Sequence, residues 1–310
     1  MRARLRNIRQ EAEGINSYLL EAWPGEALPT FEPGAHIDVQ IKAGLARSYS
    51  LVNDPEQRQF YEIAVHDAKD SRGGSRYIHE HWKVGSVIEI SPPQNNFPLV
   101  EDAAHTVLIA GGIGITPMLP MIARLERLGR RWELHYVAAT PGRAAYVDRL
   151  IDFPQAKVVF DGVHGGRRLD LNAVCDAAPR DAHLYCCGPT GMLDAFVALN
   201  KSRRQGHAHV EYFSAETDLA REGGYTLELA KTGKTITVNK GETILDALLS
   251  AGADVGFACS EGVCGSCQVQ VLDGIPDHRD RFLTEKDKES NKLIMVCCSG
   301  SKTSHLVLDL

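Results

Sequence analysis

The chain has 310 residues, of which 44% are hydrophobic and 24% charged, a composition typical of folded globular proteins rather than disordered ones. Its 40 acidic residues outnumber 34 basic ones, and the formal net charge of −6 argues against nucleic-acid binding. No apolar run reaches the ~20 residues of a membrane span, and the basic start, Met1–Arg6, leads into polar residues instead of a secretory signal. We therefore expect a soluble, cytoplasmic protein, and the length allows two or three domains of ~100–200 residues each.

Residues 1–102 predict an antiparallel β domain, a barrel or a sandwich. Apolar and polar residues alternate with a period of two over Ala35–Ile41 and Ser86–Ile90. Gly/Pro turns such as Pro33-Gly34 separate these runs.

Residues 103–216 show a different pattern, in which strands and helices alternate. A buried strand at 106–110 and a glycine turn precede a helix that has apolar residues at helical spacing from Met118 to Leu128. Further strands are predicted at 132–137, 156–160 and 182–187, and a helix at 144–151. This alternation predicts a doubly wound parallel α/β sheet.

A third domain is predicted at 225–310, after a polar linker at 217–224. It opens with a hairpin, 225–229 and 235–238, and a helix, 243–251.

The cysteines point to a metal or redox site in this third domain. None of the eight occurs before Cys175, and Cys259-x4-Cys264-x2-Cys267 followed by a later cysteine is the plant-type spacing for a [2Fe–2S] cluster. Gly262 and Gly265 let backbone amides approach the sulfurs. A zinc site or unligated core cysteines are the alternatives, but zinc sites normally pair two short C-x2-C spacings. Either Cys297 or Cys298 can supply the fourth ligand.

A glycine-rich turn between a buried strand and a helix predicts a dinucleotide site. Glycines permit close backbone approach to a pyrophosphate, and the helix N-terminus attracts it. Cys187-Gly188-Pro189 follows another buried strand and opens another helix, and neighbouring strand ends form the ligand site of such a sheet. A purely structural turn is the alternative. The candidate residues are Gly111, Gly112, Gly114, Thr116, Pro117, Cys187, Gly188 and Pro189, with Thr116 as a hydroxyl donor.

The cysteine segment resembles a known family. Ala258–Cys267 and Met295–Ser299, together with Pro276–Asp280 and Leu306–Leu310, are similar to the ferredoxin domain of the phthalate dioxygenase reductase and vanillate O-demethylase reductase family. The resemblance implies a C-terminal β-grasp ferredoxin domain. It also implies that Cys297 is the fourth ligand and that Cys298 serves packing.

The same resemblance implies an FMN site in the N-terminal barrel. Arg47-Ser48-Tyr49-Ser50 would otherwise be an ordinary half-exposed strand. In the family pattern, Arg47 and the amides of Gly74 and Ser75 hold a phosphate, Tyr49 packs on the flavin ring and Ser50 bonds near its reactive atoms. The remaining members of the expected site are Gly73, Ala64, Val65, His66 and Phe213, with Ser50 and Phe213 as the catalytic pair. The alternative for His66 is a solvated strand residue with no role in binding. The alternative for Phe213 is an aromatic residue of a core strand.

The resemblance also implies the coenzyme and the partner. Ala139-Thr140 stands where many relatives place an Arg-Ser pair for a 2′-phosphate, so we expect NADH rather than NADPH. The expected function is an NADH-dependent FMN/[2Fe–2S] reductase that passes single electrons to a separate Rieske-type aromatic-ring oxygenase, a dioxygenase or an O-demethylase. We expect a monomer. A reductase for a cytochrome or a different monooxygenase is the alternative enzyme, and a redox sensor is the non-enzymatic alternative.

Overall fold

A computed structural model describes residues 1–42, 44–68, 73–163, 168–214 and 218–310. The chain divides into two units, Met1–Glu211 and Tyr212–Leu310, and the first unit contains both of the N-terminal sheets. The division into three domains stays a prediction, and its boundary between 216 and 217 falls outside the described residues. Among the described residues, no helix has the length and apolar character that crossing a membrane requires.

The N-terminal sheet is an antiparallel barrel, as predicted. Its strands follow the order β4-β3-β6-β1-β2-β5, and a bridge between Leu51 and Ile63 joins the two outer strands. The bridge closes the sheet, while alternate side chains such as Leu5 and Leu20 fill the interior. The elements are β1 (Arg2–Ala12), β2 (Ile15–Ala22), β3 (His36–Lys42), β4 (Leu45–Ser50), β5 (Phe60–His66), α1 (Gly74–His81) and β6 (Val87–Ile90).

The second sheet is the predicted doubly wound α/β sheet, with five parallel strands. The strand order is β11-β10-β7-β8-β9, so the chain steps one way from β7 to β9 and then returns to the other side of β7. The order therefore reverses between β7 and β10, which is where such sheets bind ligands. The elements are β7 (Thr106–Gly111), α2 (Met118–Arg127), β8 (Trp132–Ala138), β9 (Ala156–Phe160), α3 (Leu171–Ala177), β10 (His183–Cys187), α4 (Thr190–Leu199) and β11 (Ala208–Glu211).

The predicted helix at 144–151 is wrong. Two short 3-10 turns, Pro141–Arg143 and Val147–Arg149, occupy this segment instead. Tyr146 has a left-handed backbone, with φ of 61°, which an α-helix does not accommodate. The buried Tyr146 hydroxyl donates to Glu62 Oε1 at 3.2 Å, and Arg149 Nη2 donates to the same carboxylate at 2.7 and 2.9 Å. Contacts with the barrel thus outweigh the local helical pattern.

The C-terminal unit is a β-grasp domain, with a five-stranded sheet in the order β13-β12-β18-β14-β16. The predicted hairpin is confirmed, because β12 and β13 pair antiparallel. The predicted helix is also confirmed: Thr243 caps it and forms a reciprocal capping box with Asp246. The elements are β12 (Tyr225–Leu229), β13 (Lys234–Val238), α5 (Ile244–Ser250), β14 (Gln268–Asp273), β15 (Pro276–Asp277), α6 (Glu285–Ser290), β16 (Leu293–Met295), β17 (Gly300–Ser301) and β18 (His305–Leu308).

The ion pair between Glu62 and Arg149 should contribute measurably to stability. The Glu62 side chain is only 9% exposed, so Glu62→Ala leaves Arg149 and Tyr146 without their acceptor. We expect a loss of about 2 kcal/mol in the free energy of unfolding, less than for a fully buried pair because Arg149 is 36% exposed. Glu101→Ala removes the more exposed pair with Arg124 and should cost less than about 1 kcal/mol. Urea unfolding of both variants checks this, and equal losses would contradict it.

Candidate cofactor and coenzyme sites

The turns that follow β7 and β10 are in direct backbone contact. A Cβ atom on Gly114 would lie 2.5 Å from the Cys187 carbonyl carbon and 2.9 Å from the Gly188 nitrogen. A Cβ on Gly188 would lie 3.1 Å from Gly111 Cα. No side chain fits in this gap, so only glycines allow the two strand ends to meet here. The predicted nucleotide turns therefore lie together at the point where the strand order reverses.

The two residues that follow the glycine turn differ in their position. Thr116 is buried, and its hydroxyl donates to the Ile113 carbonyl at 2.9 Å. The hydroxyl thus has a partner within the chain, and its role as a donor to a pyrophosphate stays a prediction. Pro117 has helical backbone angles directly before α2, which suits the predicted helix start. Gly112 has a positive φ of 54° that favours glycine.

A buried carboxyl group that the sequence interpretation missed lies beside Cys187. Glu211 ends β11 opposite Cys187, and the two side chains form a hydrogen bond. Burial raises the pKa of Glu211 to about 8, and its buried Oε2 has no hydrogen-bond partner within the described residues. Burial and the neighbouring Glu211 also raise the pKa of the Cys187 thiol. The sequence signal for this group is an acidic residue at the end of the last strand of the sheet. The residue predicted from the sequence is instead Phe213, two residues further along.

Arg47 lies against the start of α1. A Cβ on Gly74 would lie 3.2 Å from Arg47 Cγ and 3.2 Å from Ile41 Cδ1, so the Arg47 stem packs against the first turn of α1. Gly73, which precedes this helix, has a φ of 91°. A guanidinium group and a helix N-terminus at one place form a site for a phosphate group. The expected role of Gly73, Gly74 and Ser75 is compatible with this placement.

The Ser50 side chain is positioned for a polar ligand. Ser50 is buried, and its hydroxyl has no hydrogen-bond partner within the described residues. Such a group normally has a partner, so this hydroxyl is available to a polar atom of a ligand. Burial raises the pKa of Tyr49, which keeps its phenol neutral. The Ser48 hydroxyl instead donates to Asp38 Oδ1 at 2.6 Å.

The side chains of residues 64–66 lie on both faces of β5. The Val65 side chain is buried in the barrel core, so only its backbone can line a bound ring. Ala64 and His66 occupy the opposite face. Burial and the nearby Arg143 lower the pKa of His66. Phe213 is 38% exposed in the second unit, and its place beside a flavin stays a prediction.

The cysteines predicted as cluster ligands form a buried sulfur group. Hydrogen bonds from the Cys264 and Cys297 thiols lower the pKa of Cys259, and one from Cys297 lowers the pKa of Cys267. The four thiols, connected through these contacts, match the donor set of a two-iron cluster. In the described part of the chain, no three His, Cys, Asp or Glu side chains converge on a single ion, and a two-iron core does not require this because each iron takes two thiolates.

Backbone amides approach these sulfurs, as the glycines predicted. The Glu261 N–H donates to Cys259 Sγ at 3.3 Å, and the amides of Val263 and Cys264 also bond this sulfur. Gly262 and Gly265 have positive φ angles of 73° and 81°. A Cβ on Gly265 would lie 2.6 Å from the Phe282 ring, so a larger residue would displace the loop.

The geometry favours Cys297 over Cys298 as the fourth ligand. Cys297 bonds Cys259 and Cys267, whereas the buried Cys298 sulfur bonds Cys297, packs against Gly262 and lies 3.8 Å from the Met295 carbonyl oxygen. Cys297→Ser should therefore remove the iron and acid-labile sulfide, while Cys298→Ser should retain both. Iron and sulfide assays with electron paramagnetic resonance check this difference. Loss in the Cys298 variant and retention in the Cys297 variant would reverse the assignment.

Glu211 should make stability depend on pH. Because the pKa of Glu211 in the folded chain, about 8, lies above its ordinary value of 4.5, the folded state binds this proton more tightly than the unfolded state. Its stabilising contribution is complete below pH 4.5 and is lost as the pH rises towards 8. Glu211→Gln should reduce this decline of the unfolding free energy with pH. Glu101→Gln should leave the decline unchanged, because Arg124 lowers the pKa of Glu101 and this carboxyl group therefore does not titrate in this range. Unfolding free energies across this pH range check the prediction, which an unchanged slope in Glu211→Gln would contradict.

Comparison with known proteins agrees with this arrangement. Residues 227–301 match the family model of the 2Fe-2S iron-sulfur cluster binding domain. Along 99% of its length, the chain is 45% identical to phenoxybenzoate dioxygenase subunit beta of Ectopseudomonas oleovorans, covering 96% of that protein. It is 44% identical to tetrachlorobenzoquinone reductase of Sphingobium chlorophenolicum, over 98% of this chain and 96% of that one. It is 39% identical to vanillate O-demethylase oxidoreductase of Pseudomonas sp. strain HR199, over 98% of both chains.

Among solved structures, phthalate dioxygenase reductase matches all of this chain and 98% of its own, with 35% identity and a TM-score of 0.78. That structure is described as modular, for electron transfer from pyridine nucleotides to [2Fe–2S]. These similarities extend over both units and are not confined to the cysteine loop. The chain thus belongs to the phthalate dioxygenase reductase and vanillate O-demethylase reductase family, which includes reductase components of oxygenase systems.

Proposed function

We propose that the chain is an NADH-dependent FMN/[2Fe–2S] reductase that delivers single electrons to a separate Rieske-type oxygenase acting on aromatic compounds. One observation carries the proposal: a glycine-only contact at a nucleotide-binding sheet edge and a four-cysteine sulfur group occur in the same chain. A nicotinamide coenzyme donates two electrons as hydride, whereas an iron–sulfur cluster accepts one. Bound FMN supplies the conversion between these two chemistries.

The first unit binds and orients the two organic groups. The Gly111–Gly114 turn receives the pyrophosphate of NADH, which places the nicotinamide near Cys187 and Glu211 at the adjoining strand end. Arg47 and the α1 N-terminus hold the FMN phosphate, and the Ser50 hydroxyl bonds the flavin ring. Hydride transfer needs orientation rather than a general base, so these positioning contacts are the contribution of the chain.

The second unit holds the cluster and adjusts its potential. Cys259, Cys264, Cys267 and Cys297 ligate the irons. Plant-type clusters have potentials near about −400 mV, and hydrogen bonds to the sulfurs raise this value. The Glu261 N–H that donates to Cys259 Sγ is such a bond. We infer that this loop makes the cluster easier to reduce with NADH.

A reductase acting on a small quinone is the second candidate, because the relative at 44% identity is named tetrachlorobenzoquinone reductase. Assays of purified holoprotein with Rieske oxygenases, tetrachlorobenzoquinone and cytochrome c separate the acceptors. Fastest reduction of an oxygenase supports the first candidate.

The proposal also includes a monomeric, cytoplasmic protein, which analytical ultracentrifugation and cell fractionation check.

Cys264→Ser should separate the two halves of the electron path. The variant loses a cluster ligand but keeps every residue of the first unit, so NADH–ferricyanide reduction by the flavin should persist. Reduction of an oxygenase should be abolished, since the cluster connects the two. Cys298→Ser is the matched control and should retain both activities. Loss of both activities in a folded, flavin-containing Cys264 variant would contradict the proposed order of carriers.

A further inference from the structure

The loop after the second strand of the α/β sheet lacks an expected acidic residue. In dinucleotide-binding sheets, an Asp or Glu near the end of this strand bonds the 2′-hydroxyl of the adenosine ribose of NAD. Here β8 ends at Ala138, and the chain continues as Ala139-Thr140-Pro141-Gly142-Arg143. None of these five residues carries a carboxylate. A ribose bound at this strand end would therefore need an acid from elsewhere in the first unit.

Glu13 brings a carboxylate to this loop from the turn between β1 and β2. The Glu13 N–H donates to the Gly142 carbonyl at 2.7 Å. A Cβ on Gly142 would lie 2.9 Å from Glu13 Cδ, so the carboxyl group lies directly over the bare Cα of Gly142. Any side chain at this position would displace the carboxylate. A barrel turn and an α/β loop thus form one joint surface within the unit Met1–Glu211.

The loop is also held from its other side. The Gly162 N–H donates to the Ala139 carbonyl at 2.9 Å, and a Cβ on Gly162 would lie 2.6 Å from that oxygen. Gly142 on the loop and Gly162 after β9 therefore allow the loop to pack closely between the barrel turn and the end of β9. A ligand that reaches this surface meets the Glu13 carboxylate above a loop whose backbone is bonded on both sides.

Charges of both signs lie around this surface. Asp161 follows β9, and its N–H donates to the Ala138 carbonyl at 3.2 Å. Arg143 lies on the loop itself and is close enough to His66 on β5 to act on its ionisation. Arg143 is the cation that would favour a 2′-phosphate, whereas the carboxylates of Glu13 and Asp161 would disfavour it.

We propose that Glu13 selects NADH over NADPH: its carboxylate accepts a hydrogen bond from the ribose 2′-hydroxyl of NADH and repels the 2′-phosphate of NADPH. This rests on the proposed function, because it needs the coenzyme at this sheet edge. Close like charges repel one another more strongly near a protein surface than in bulk water, so one carboxylate is sufficient for a clear preference.

The test uses the holoprotein and compares Glu13→Gln and Glu13→Lys with Glu21→Gln. Glu21 lies near the other end of β2, away from the loop, so its variant removes one acid without changing this surface. We expect Glu13→Gln to raise the ratio of kcat/KM for NADPH to that for NADH by about tenfold, with a larger rise in Glu13→Lys, and no change in Glu21→Gln. The melting temperature should stay unchanged because Glu13 is exposed.

Binding of two adenosine fragments gives a readout that does not depend on turnover. Calorimetry with AMP and with adenosine 2′,5′-bisphosphate should show that Glu13→Gln weakens the first and strengthens the second. A wild-type protein that oxidises NADH, together with Glu13 variants that keep the wild-type ratio and fragment affinities, would overturn the role of Glu13. A wild-type protein that neither oxidises NADH nor binds AMP would overturn the proposed function itself.

Discussion

The contact between the ends of β7 and β10 is the constraint on which the coenzyme site depends. Parallel strands end at one edge, and the reversal of strand order opens a crevice there. That crevice stays usable only because Gly114 and Gly188 carry no side chain where the two turns meet. A methyl group at Gly114 would overlap the Cys187 carbonyl carbon, so substitution would separate the strand ends or close the site. The same edge carries Cys187 and Glu211, which pair across β10 and β11.

The second unit provides the sulfur ligands that surround the two-iron cluster. Its cysteine loop uses glycines for a second purpose: positive φ angles at Gly262 and Gly265 turn amides towards the sulfurs, and the absence of side chains leaves room for Cys298 and Phe282. One chain thus contains a site built on strand ends and a site built on an irregular loop. Their combination, rather than either site alone, supports electron transfer from a two-electron donor to a one-electron acceptor.

Features with a local signal were predictable from the sequence. Period-two alternation predicted the barrel, strand–helix alternation predicted the parallel sheet, and fixed cysteine spacing predicted the sulfur group. Features set by tertiary contact were not predictable. The segment around Tyr146 has a helical pattern, but the Tyr146 hydroxyl donates to Glu62 on the barrel and the segment does not form the helix. In the same way, the Thr116 hydroxyl donates to the Ile113 carbonyl, which the sequence did not indicate. Glu13 approaches Gly142 only after the barrel and the α/β sheet pack together.

The central claim is that NADH alone can load the iron–sulfur cluster through a bound flavin. Anaerobic addition of NADH to the reconstituted protein, followed by electron paramagnetic resonance at low temperature, tests this most directly. The account predicts the signal of a reduced two-iron cluster, accompanied by loss of flavin absorbance. If dithionite produces that signal but NADH produces neither the signal nor flavin bleaching, the electron path described here is wrong.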